Sequence, residues 1–276
     1  MISLISVGIK DCIDRSITEI VCAKEDAERV YSTFKYVLGD HFSDFSSISL
    51  VNARCDQFIS LISGLSSALT DDDITIVYFS CHAIEDSNDL NLIFSDEDGA
   101  GRGMLSVSLL KSVLTKSKGE YVLIFDCCHS ESALVMANKQ AASNRNNISV
   151  IASTEYYLRA GFDEKGSFFT NSLCDAILQV FDAEEDITVN NIVAAIKKQN
   201  VSCYVNLSEG KADIQLKAST GGYDNLPRMF LSKMNTNNRH IREMMWYSIN
   251  DIPAKESLEI VDGFIANSTT ISEADW

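Results

Sequence analysis

The sequence predicts an α/β fold in which a mostly parallel sheet is covered by helices on both faces. Short apolar segments alternate along the chain with longer segments whose apolar residues recur at helical spacing. Two of the short segments, Ile74–Ser80 and Glu120–Asp126, are almost continuously apolar, which is typical of strands buried on both faces. An alternation of strands and helices produces a parallel sheet, because each helix carries the chain back to the start of the next strand.

The individual elements can be predicted in order along the chain. The main sheet is predicted to have six strands, at residues 3–9, 47–51, 74–80, 120–126, 148–153 and 228–231, with a separate hairpin strand at 90–95. Apolar residues share one face of predicted helices over residues 23–38, 58–69, 106–117, 168–182 and 188–199.

Two parts of the chain lack this pattern. Residues 131–147 show little periodicity and are predicted to form a surface loop between two strands. The pattern changes again after Leu231, so we expect a main domain of residues 1–231 followed by a helical appendage of residues 232–276. The appendage either packs on the core or docks a partner protein.

Composition and charge exclude several classes of function. The chain of 276 residues has a formal net charge of −16, whereas proteins that bind nucleic acids or anionic membranes present clustered Lys and Arg. No apolar run approaches the roughly 18 residues of a membrane span. The eight cysteines are irregularly spaced, and the first residues have the pattern of a strand rather than of a signal peptide. We therefore expect a cytoplasmic protein with reduced thiols.

Two polar clusters follow the two continuously apolar strands. His82 comes just after the first strand, and Cys128 comes just after the second. Ligands bind beyond the carboxyl ends of parallel strands, and a thiol beside an imidazole base is an activated nucleophile. Two alternatives are a zinc site and a set of buried thiols beside a core histidine. Zinc is disfavoured because adjacent ligands such as Cys81 and His82 point apart, as Cys127 and Cys128 do.

Four ordered segments resemble the caspase-like cysteine peptidases, including metacaspases and prokaryotic CHAT-type peptidases. The resemblance covers about residues 3–231. The four segments are 22–27 (CAKEDA), 78–83 (YFSCHA), 123–130 (LIFDCCHS) and 166–173 (GSFFTNSL). The resemblance implies a caspase-like sandwich built on a six-stranded sheet. His82 and Cys128 are 46 residues apart, which is close to the roughly 50 residues that separate the catalytic pair in caspases.

The resemblance also implies roles for individual residues. Cys128 would be the nucleophile and His82 the general base, and the backbone N–H groups of Cys128 and Ala83 would form the oxyanion hole. Cys127 would be a packed thiol, and His129 would have a structural role. Glycine usually stands in the family at three positions, which are occupied in this chain by Cys81, Ala83 and Glu131. A positive φ would strain a residue with a side chain, so the loops of the site are expected to be strained there.

Substrate specificity can be argued from charge. In metacaspases an acidic pocket receives the side chain before the cleaved bond, and the matching positions in this chain are Asp26, Ser80 and Asp126. Two carboxylates in an enclosed pocket favour Arg or Lys and repel Asp, which predicts cleavage after a basic residue. The alternative is that Asp26 is a charge at a helix N-terminus and that Asp126 only orders a loop.

Regulation and partners are predicted from the same resemblance. Lys139 and Arg145 lie in the loop after the nucleophile, where self-cleavage activates many relatives. Calcium is a possible activator, with oxygen ligands from residues 71–73 or 96–98, although such acidic runs are more often solvated loops. The resemblance implies a protein substrate, an activating partner protein, and a role in antiviral defence or cell suicide. The alternative function is a catalytically silent caspase-like module that binds other proteins.

Overall fold

The structure is built around one six-stranded sheet and also contains three smaller sheets among the described residues. This computed structural model describes residues 1–86, 89–138, 147–153, 162–163, 166–208 and 210–218. The strands are β1 (Ile2–Gly8), β2 (Ile48–Val51), β3 (Ile74–Ser80), β4 (Ala83–Asp86), β5 (Asp89–Ile93), β6 (Met104–Ser106), β7 (Glu120–Asp126), β8 (Ile148–Ala152), β9 (Phe162–Asp163), β10 (Gly166–Ser167), β11 (Ile187–Thr188), β12 (Tyr204–Asn206) and β13 (Gln215–Lys217). The helices are α1 (Ala23–Leu38), α2 (Cys55–Ala68), α3 (Val107–Leu114), α4 (Glu131–Asn138), α5 (Phe168–Asp182) and α6 (Val189–Lys198), with a 3-10 turn at Gly39–His41.

The order of strands in the main sheet is β12-β8-β7-β3-β1-β2. All pairs are parallel except the antiparallel pair of β12 with β8. The predicted α/β fold with a six-stranded, mostly parallel sheet is therefore confirmed. β3 and β7 lie at the centre of the sheet, and a parallel strand flanks each of them on its outer side.

The sheet separates two apolar cores, because successive side chains of a strand point to opposite faces. On one face, residues such as Leu4, Ile76 and Val122 pack against apolar side chains of α1, α5 and α6. On the other face, Val77 and Leu123 pack together with side chains of α2, α3 and the β5–β6 hairpin. Helices therefore cover both faces, and the continuous apolar runs of β3 and β7 are explained by burial on both sides.

Aromatic packing fixes the carboxyl-terminal parts of the two central strands, β3 and β7. Phe79 and Phe125 are register partners on β3 and β7, and their rings stack with centroids 5.4 Å apart. Phe58 of α2 packs edge-on against Phe79 at 5.4 Å. Such contacts contribute about 0.5–1.5 kcal/mol beyond simple burial, so the strand ends that follow are held on a rigid base.

Three predictions about elements need correction. The segment 131–147 was expected to be a loop, but its first eight residues form α4. The sixth strand of the main sheet is β12, a three-residue antiparallel edge strand that the sequence pattern did not reveal. β4 and β6, which form a small sheet with β5, were also not predicted. The strand predicted at 228–231 and the appendage at 232–276 lie outside the described residues.

The described helices include none with the length and apolar character needed to cross a bilayer.

Gly8 marks a close approach between β1 and the start of α1. A Cβ atom at this position would lie 2.2 Å from the carbonyl oxygen of Ala23. We expect Gly8→Ala to lower the free energy of unfolding by about 1–3 kcal/mol, the usual cost of overpacking. Gly64→Ala is the matched control, because Gly64 lies in α2 with open space around it, and this change should raise stability by up to about 1 kcal/mol. Urea denaturation measures both, and equal effects would contradict the close contact.

Candidate active site

His82 and Cys128 leave the sheet side by side at the carboxyl ends of β3 and β7. The two strands are parallel neighbours, and Ser80 is the register partner of Asp126. His82 and Cys128 therefore stand the same two residues beyond a matched pair of positions. Both side chains are only partly buried, so both remain accessible at the edge of the sheet where substrates bind in parallel α/β folds.

The ring of His82 is oriented by a backbone carbonyl. Its Nε2 atom lies 2.6 Å from the carbonyl oxygen of Thr18. A carbonyl oxygen can only accept a hydrogen bond, so Nε2 carries the proton and Nδ1 keeps the lone pair in the neutral ring. Nδ1 is then the nitrogen that can take a proton from a thiol. The sequence analysis missed Thr18, because a carbonyl group is present at every position and leaves no sequence signal.

The neighbouring cysteines differ from Cys128 in exposure. Cys81 and Cys127 are almost fully buried, and burial raises the pKa of each thiol. Buried neutral thiols of this kind are inert. Cys128, in contrast, is partly exposed. The alternation of side chains along the chain thus places Cys127 in the apolar core and Cys128 outside it.

The backbone strain of the site lies at a position that was not anticipated. Strain was expected at Cys81, Ala83 and Glu131, but none of these three residues has a positive φ. The residue in the left-handed region is His129, with a φ of 59°. This conformation turns the chain sharply after Cys128, and α4 begins two residues later. The three replacements of glycine therefore do not force a side chain into the left-handed region, whereas His129 adopts that conformation, which is uncommon outside glycine.

The backbone after His82 is fixed by a hairpin. Ala83 is the first residue of β4 and is the register partner of Leu92 on β5. The carbonyl group of His82 accepts a hydrogen bond of 2.9 Å from the backbone N–H of Ile93. The peptide that joins His82 to Ala83, whose N–H is a predicted oxyanion donor, therefore belongs to an ordered pairing.

The three predicted pocket residues Asp26, Ser80 and Asp126 are all buried. Asp126 Oδ2 accepts a hydrogen bond of 2.6 Å from the hydroxyl of Thr170, which also hydrogen-bonds the hydroxyl of Tyr78. Burial raises the pKa of Asp126 to about 6, and nearby hydroxyl groups offset only part of this increase. The charge of Asp26 also raises it, so the two carboxylates lie close enough to repel each other.

Asp26 is held in a similar way by the turn before α5. Its Oδ2 atom accepts a hydrogen bond of 3.1 Å from the backbone N–H of Ser167. Burial raises its pKa, and interactions with the Cys22 thiol, the Ser167 N–H and the charge of Arg29 offset part of this increase. The Arg29 guanidinium hydrogen-bonds Asn171. Gly166 has a φ of 117°, and a Cβ atom there would lie 2.5 Å from Asp26 Oδ1, so only glycine fits beside this carboxylate.

Each carboxylate keeps one oxygen without a hydrogen bond. Asp26 Oδ1 and Asp126 Oδ1 are buried, and neither has a hydrogen-bond partner among the residues that the structure describes. A buried acceptor without a donor is costly, and such groups are uncommon in folded proteins.

The metal alternatives gain no support from the geometry. Within the described ranges, no group of three or more His, Cys, Asp or Glu side chains is arranged to hold a metal ion. Of the acidic runs considered for calcium, Asp73 accepts hydrogen bonds from Thr70, and Asp96 accepts the backbone N–H of Cys55 at the start of α2. Asp98 forms an ion pair with Arg102. The predicted self-cleavage positions Lys139 and Arg145 lie outside the described residues.

The fold and the site define a class of protein. The six-stranded α/β sheet carries a cysteine and a histidine at neighbouring strand ends, so that a thiol and an imidazole share one edge of the sheet. A family model described as the caspase domain matches residues 15–212. The chain therefore belongs to the caspase-domain family of cysteine peptidases, as the four sequence segments indicated.

Solved structures share the same fold. The protein GSU0716 from Geobacter sulfurreducens is similar with a TM-score of 0.57 and 15% identity, over 74% of this chain and 92% of that chain. The Drosophila initiator caspase Dronc is similar with a TM-score of 0.55 and 13% identity, over 78% of this chain and 82% of that chain. At these identities, the similarity shows the fold alone. Comparison with curated protein sequences gives no match.

The buried carboxyl of Asp126 should make stability depend on pH. Its pKa is about 6 in the folded protein, compared with about 3.9 in an unfolded chain. Between these values the folded state holds a proton that the unfolded state has lost, so this group lowers stability as pH rises from about 4 to about 6. The free energy of unfolding of Asp126→Asn, relative to wild type, should increase by about 2 kcal/mol between pH 4 and pH 7.

Urea denaturation at several pH values measures this difference. The exposed residue Asp72 supplies the control, and Asp72→Asn should follow the wild-type pH dependence. If Asp126→Asn also follows the wild-type curve across this range, the carboxyl does not titrate as described.

Proposed function

We propose that this protein is a cysteine endopeptidase that cleaves protein substrates after Arg or Lys, with Cys128 as nucleophile and His82 as general base. The observation that carries the proposal is the register of the two central strands, in which Ser80 pairs with Asp126. In this register, the two segments that carry His82 and Cys128 begin at the same level of the sheet. The hydrogen bond of His82 to Thr18 adds a ring orientation that suits a base.

The reaction follows from the two side chains. His82 Nδ1 takes the proton of the Cys128 thiol, and the sulfur attacks the carbonyl carbon of the scissile peptide. The backbone N–H groups of Cys128 and Ala83 stabilise the oxyanion. The imidazolium then gives its proton to the leaving amine, and an acyl-enzyme forms. Water, deprotonated by His82, hydrolyses the thioester and restores the thiol. The carbonyl of Thr18 stabilises the imidazolium while it carries both protons.

Specificity for a basic side chain is supported by the two unsatisfied carboxylate oxygens. Asp26 Oδ1 and Asp126 Oδ1 lie in a buried region close to the nucleophile segment. An Arg guanidinium donates several hydrogen bonds in a fixed plane and pairs well with carboxylates. Its entry would supply both missing donors and would favour the charged state of both acids. An Asp side chain in the same place would add a third negative charge, so caspase-type cleavage after Asp is disfavoured.

The alternative of a catalytically silent module rested on the replaced glycines. Cys81, Ala83 and Glu131 adopt backbone conformations that a side chain tolerates, so these replacements do not argue against catalysis. An inert protein that nonetheless binds other proteins would revive the alternative.

We also propose a cellular setting for this activity. The resemblance to prokaryotic caspase-like effectors supports a cytoplasmic protein substrate, an activating partner protein, and a role in antiviral defence or cell suicide. Expression of active and inactive variants in a bacterial host, with and without phage challenge, tests this setting. Equal survival of cells that carry wild type or Cys128→Ala would contradict an effector role.

Loss of either catalytic side chain should abolish peptide cleavage. We expect Cys128→Ala and His82→Ala each to lower kcat/KM for peptides that end in Arg by at least about 1,000-fold. Cys127→Ala is the matched control, because it removes the adjacent buried thiol, and it should keep most of the activity. Fluorogenic peptides and iodoacetamide mapping provide the measurements. Activity that survives in Cys128→Ala but disappears in Cys127→Ala would reverse the assignment.

The preference for a basic residue before the cleaved bond should depend on the two buried carboxylates. The preference is measured as the ratio of kcat/KM for two peptides, one with Arg and one with citrulline before the cleaved bond. Citrulline has nearly the same shape as Arg without the charge. Asp26→Asn and Asp126→Asn should each lower the preference for Arg by at least about 30-fold, as expected when one partner of a buried charge pair is removed. Asp72→Asn should leave the preference unchanged. An unaltered ratio of Arg to citrulline cleavage in both pocket variants would show that these acids do not bind the substrate.

A further inference from the structure

We infer that Glu97, which lies outside the catalytic pair, is a positioning residue that fixes the orientation of the His82 ring. The inference rests on the proposed function, because it assigns Glu97 a part in that same site. Two segments are involved. The Glu97 loop is residues 94–103, between β5 and β6, and the Thr18 segment is residues 10–20, between β1 and α1.

The carboxylate of Glu97 is the centre of its own loop. The residue is 1% exposed. Its Oε1 atom accepts the backbone N–H groups of Gly99 at 2.8 Å and Gly101 at 3.0 Å, and its Oε2 atom accepts that of Gly103 at 3.1 Å. Hydrogen bonds to a charged acceptor are stronger than neutral ones. The carboxylate therefore holds the backbone at three alternate residues of the loop.

The three glycines are required by this close wrapping. Gly99 and Gly101 have φ values of 83° and 81°, which residues with a side chain rarely adopt. A Cβ atom at Gly103 would lie 2.1 Å from the backbone nitrogen of Glu97. The alternating glycines thus allow the backbone to approach the carboxylate from several sides.

The Glu97 loop anchors the Thr18 segment through the backbone. The N–H of Asp14 donates to the carbonyl of Glu97 itself at 2.8 Å, and the N–H of Ile13 donates to the carbonyl of Ser95 at 3.0 Å. The Thr18 segment then turns back on Asp14, whose carbonyl accepts the N–H of Ile17 at 3.2 Å. The carbonyl that meets His82 belongs to the next residue, Thr18.

The same hairpin also holds His82 from the other side. The N–H of Ile93, at the end of β5, donates to the carbonyl of His82 at 2.9 Å. Phe94 and Gly103 close the base of the Glu97 loop with a hydrogen bond of 2.8 Å. Both partners of the bond between His82 and Thr18 are therefore attached to one hairpin, and Glu97 is the charged group that keeps this hairpin rigid.

A carboxylate in a loop can also serve local stability alone, so the test must report on the His82 ring. Glu97→Gln keeps the shape of the side chain but replaces one acceptor oxygen with an amide group that donates. At least one glycine N–H then loses its acceptor. Asp98→Asn is the matched control, because it removes an adjacent charge whose partner is Arg102.

The experiment measures ¹⁵N NMR signals of the imidazole rings in the full chain, together with peptide cleavage. Wild type and Asp98→Asn should show His82 as the Nε2-protonated tautomer. Glu97→Gln should show a mixture of tautomers, with kcat lowered about 10- to 100-fold, the range expected for misplacement of a catalytic group, and KM changed by no more than about twofold. An unchanged tautomer with an unchanged kcat would overturn the inference.

The tautomer signal separates this inference from the proposed function. If no variant cleaves peptides but Glu97→Gln alone alters the tautomer, the positioning role stands and the peptidase proposal fails. If Glu97→Gln does not fold, Gly99→Ala takes its place, since a side chain at a φ of 83° strains the same loop without removing the carboxylate. Gly99→Ala should then shift the tautomer and kcat in the same direction, and wild-type values for both would overturn the inference.

Discussion

The candidate site depends on the parallel register between β3 and β7. A shift of one residue in this pairing would turn every side chain of one strand to the opposite face of the sheet. Because both faces are buried, such a shift would exchange the side chains that the two strands contribute to the two packed cores, and it would separate the stacked aromatic rings of the two strands. The register that brings Ser80 level with Asp126 is thus fixed by the specific packing of the two cores around these strands. The relative placement of His82 and Cys128 follows from it.

The candidate site contains two buried carboxylates whose hydrogen bonding is incomplete. The carboxylates of Asp26 and Asp126 are both buried, repel each other and have raised pKa values. Neither would be retained for stability, because a buried charge without a full set of donors is unfavourable. Groups of this kind cluster where a ligand supplies the missing interactions. The N–H of Ser167 and the hydroxyl of Thr170 each hold one oxygen of a carboxylate, and the other oxygen of each has no hydrogen-bond partner among the described residues.

Sequence reasoning was most accurate where physical constraints act on many residues at once. The continuous apolar runs of β3 and β7 and the regular apolar face of α1 predicted those elements to within a residue. It failed for β12, a three-residue edge strand, because so short an element leaves no periodic pattern. It also missed the roles of Thr18 and Glu97. The first acts through a backbone carbonyl, and the second acts through loop hydrogen bonds that depend on the folded path of the chain.

The stacked rings of Phe79 and Phe125 join the hydrophobic core to the two strand ends that carry the candidate site. Each ring belongs to the residue directly before one of the polar segments, so nothing flexible separates the core from the site on either strand. Replacement of either ring by a smaller side chain would let the two strand ends tilt relative to each other, even if the protein stayed folded. Substitutions deep in the hydrophobic interior should therefore alter the geometry of the candidate site, even though they lie far from its polar residues.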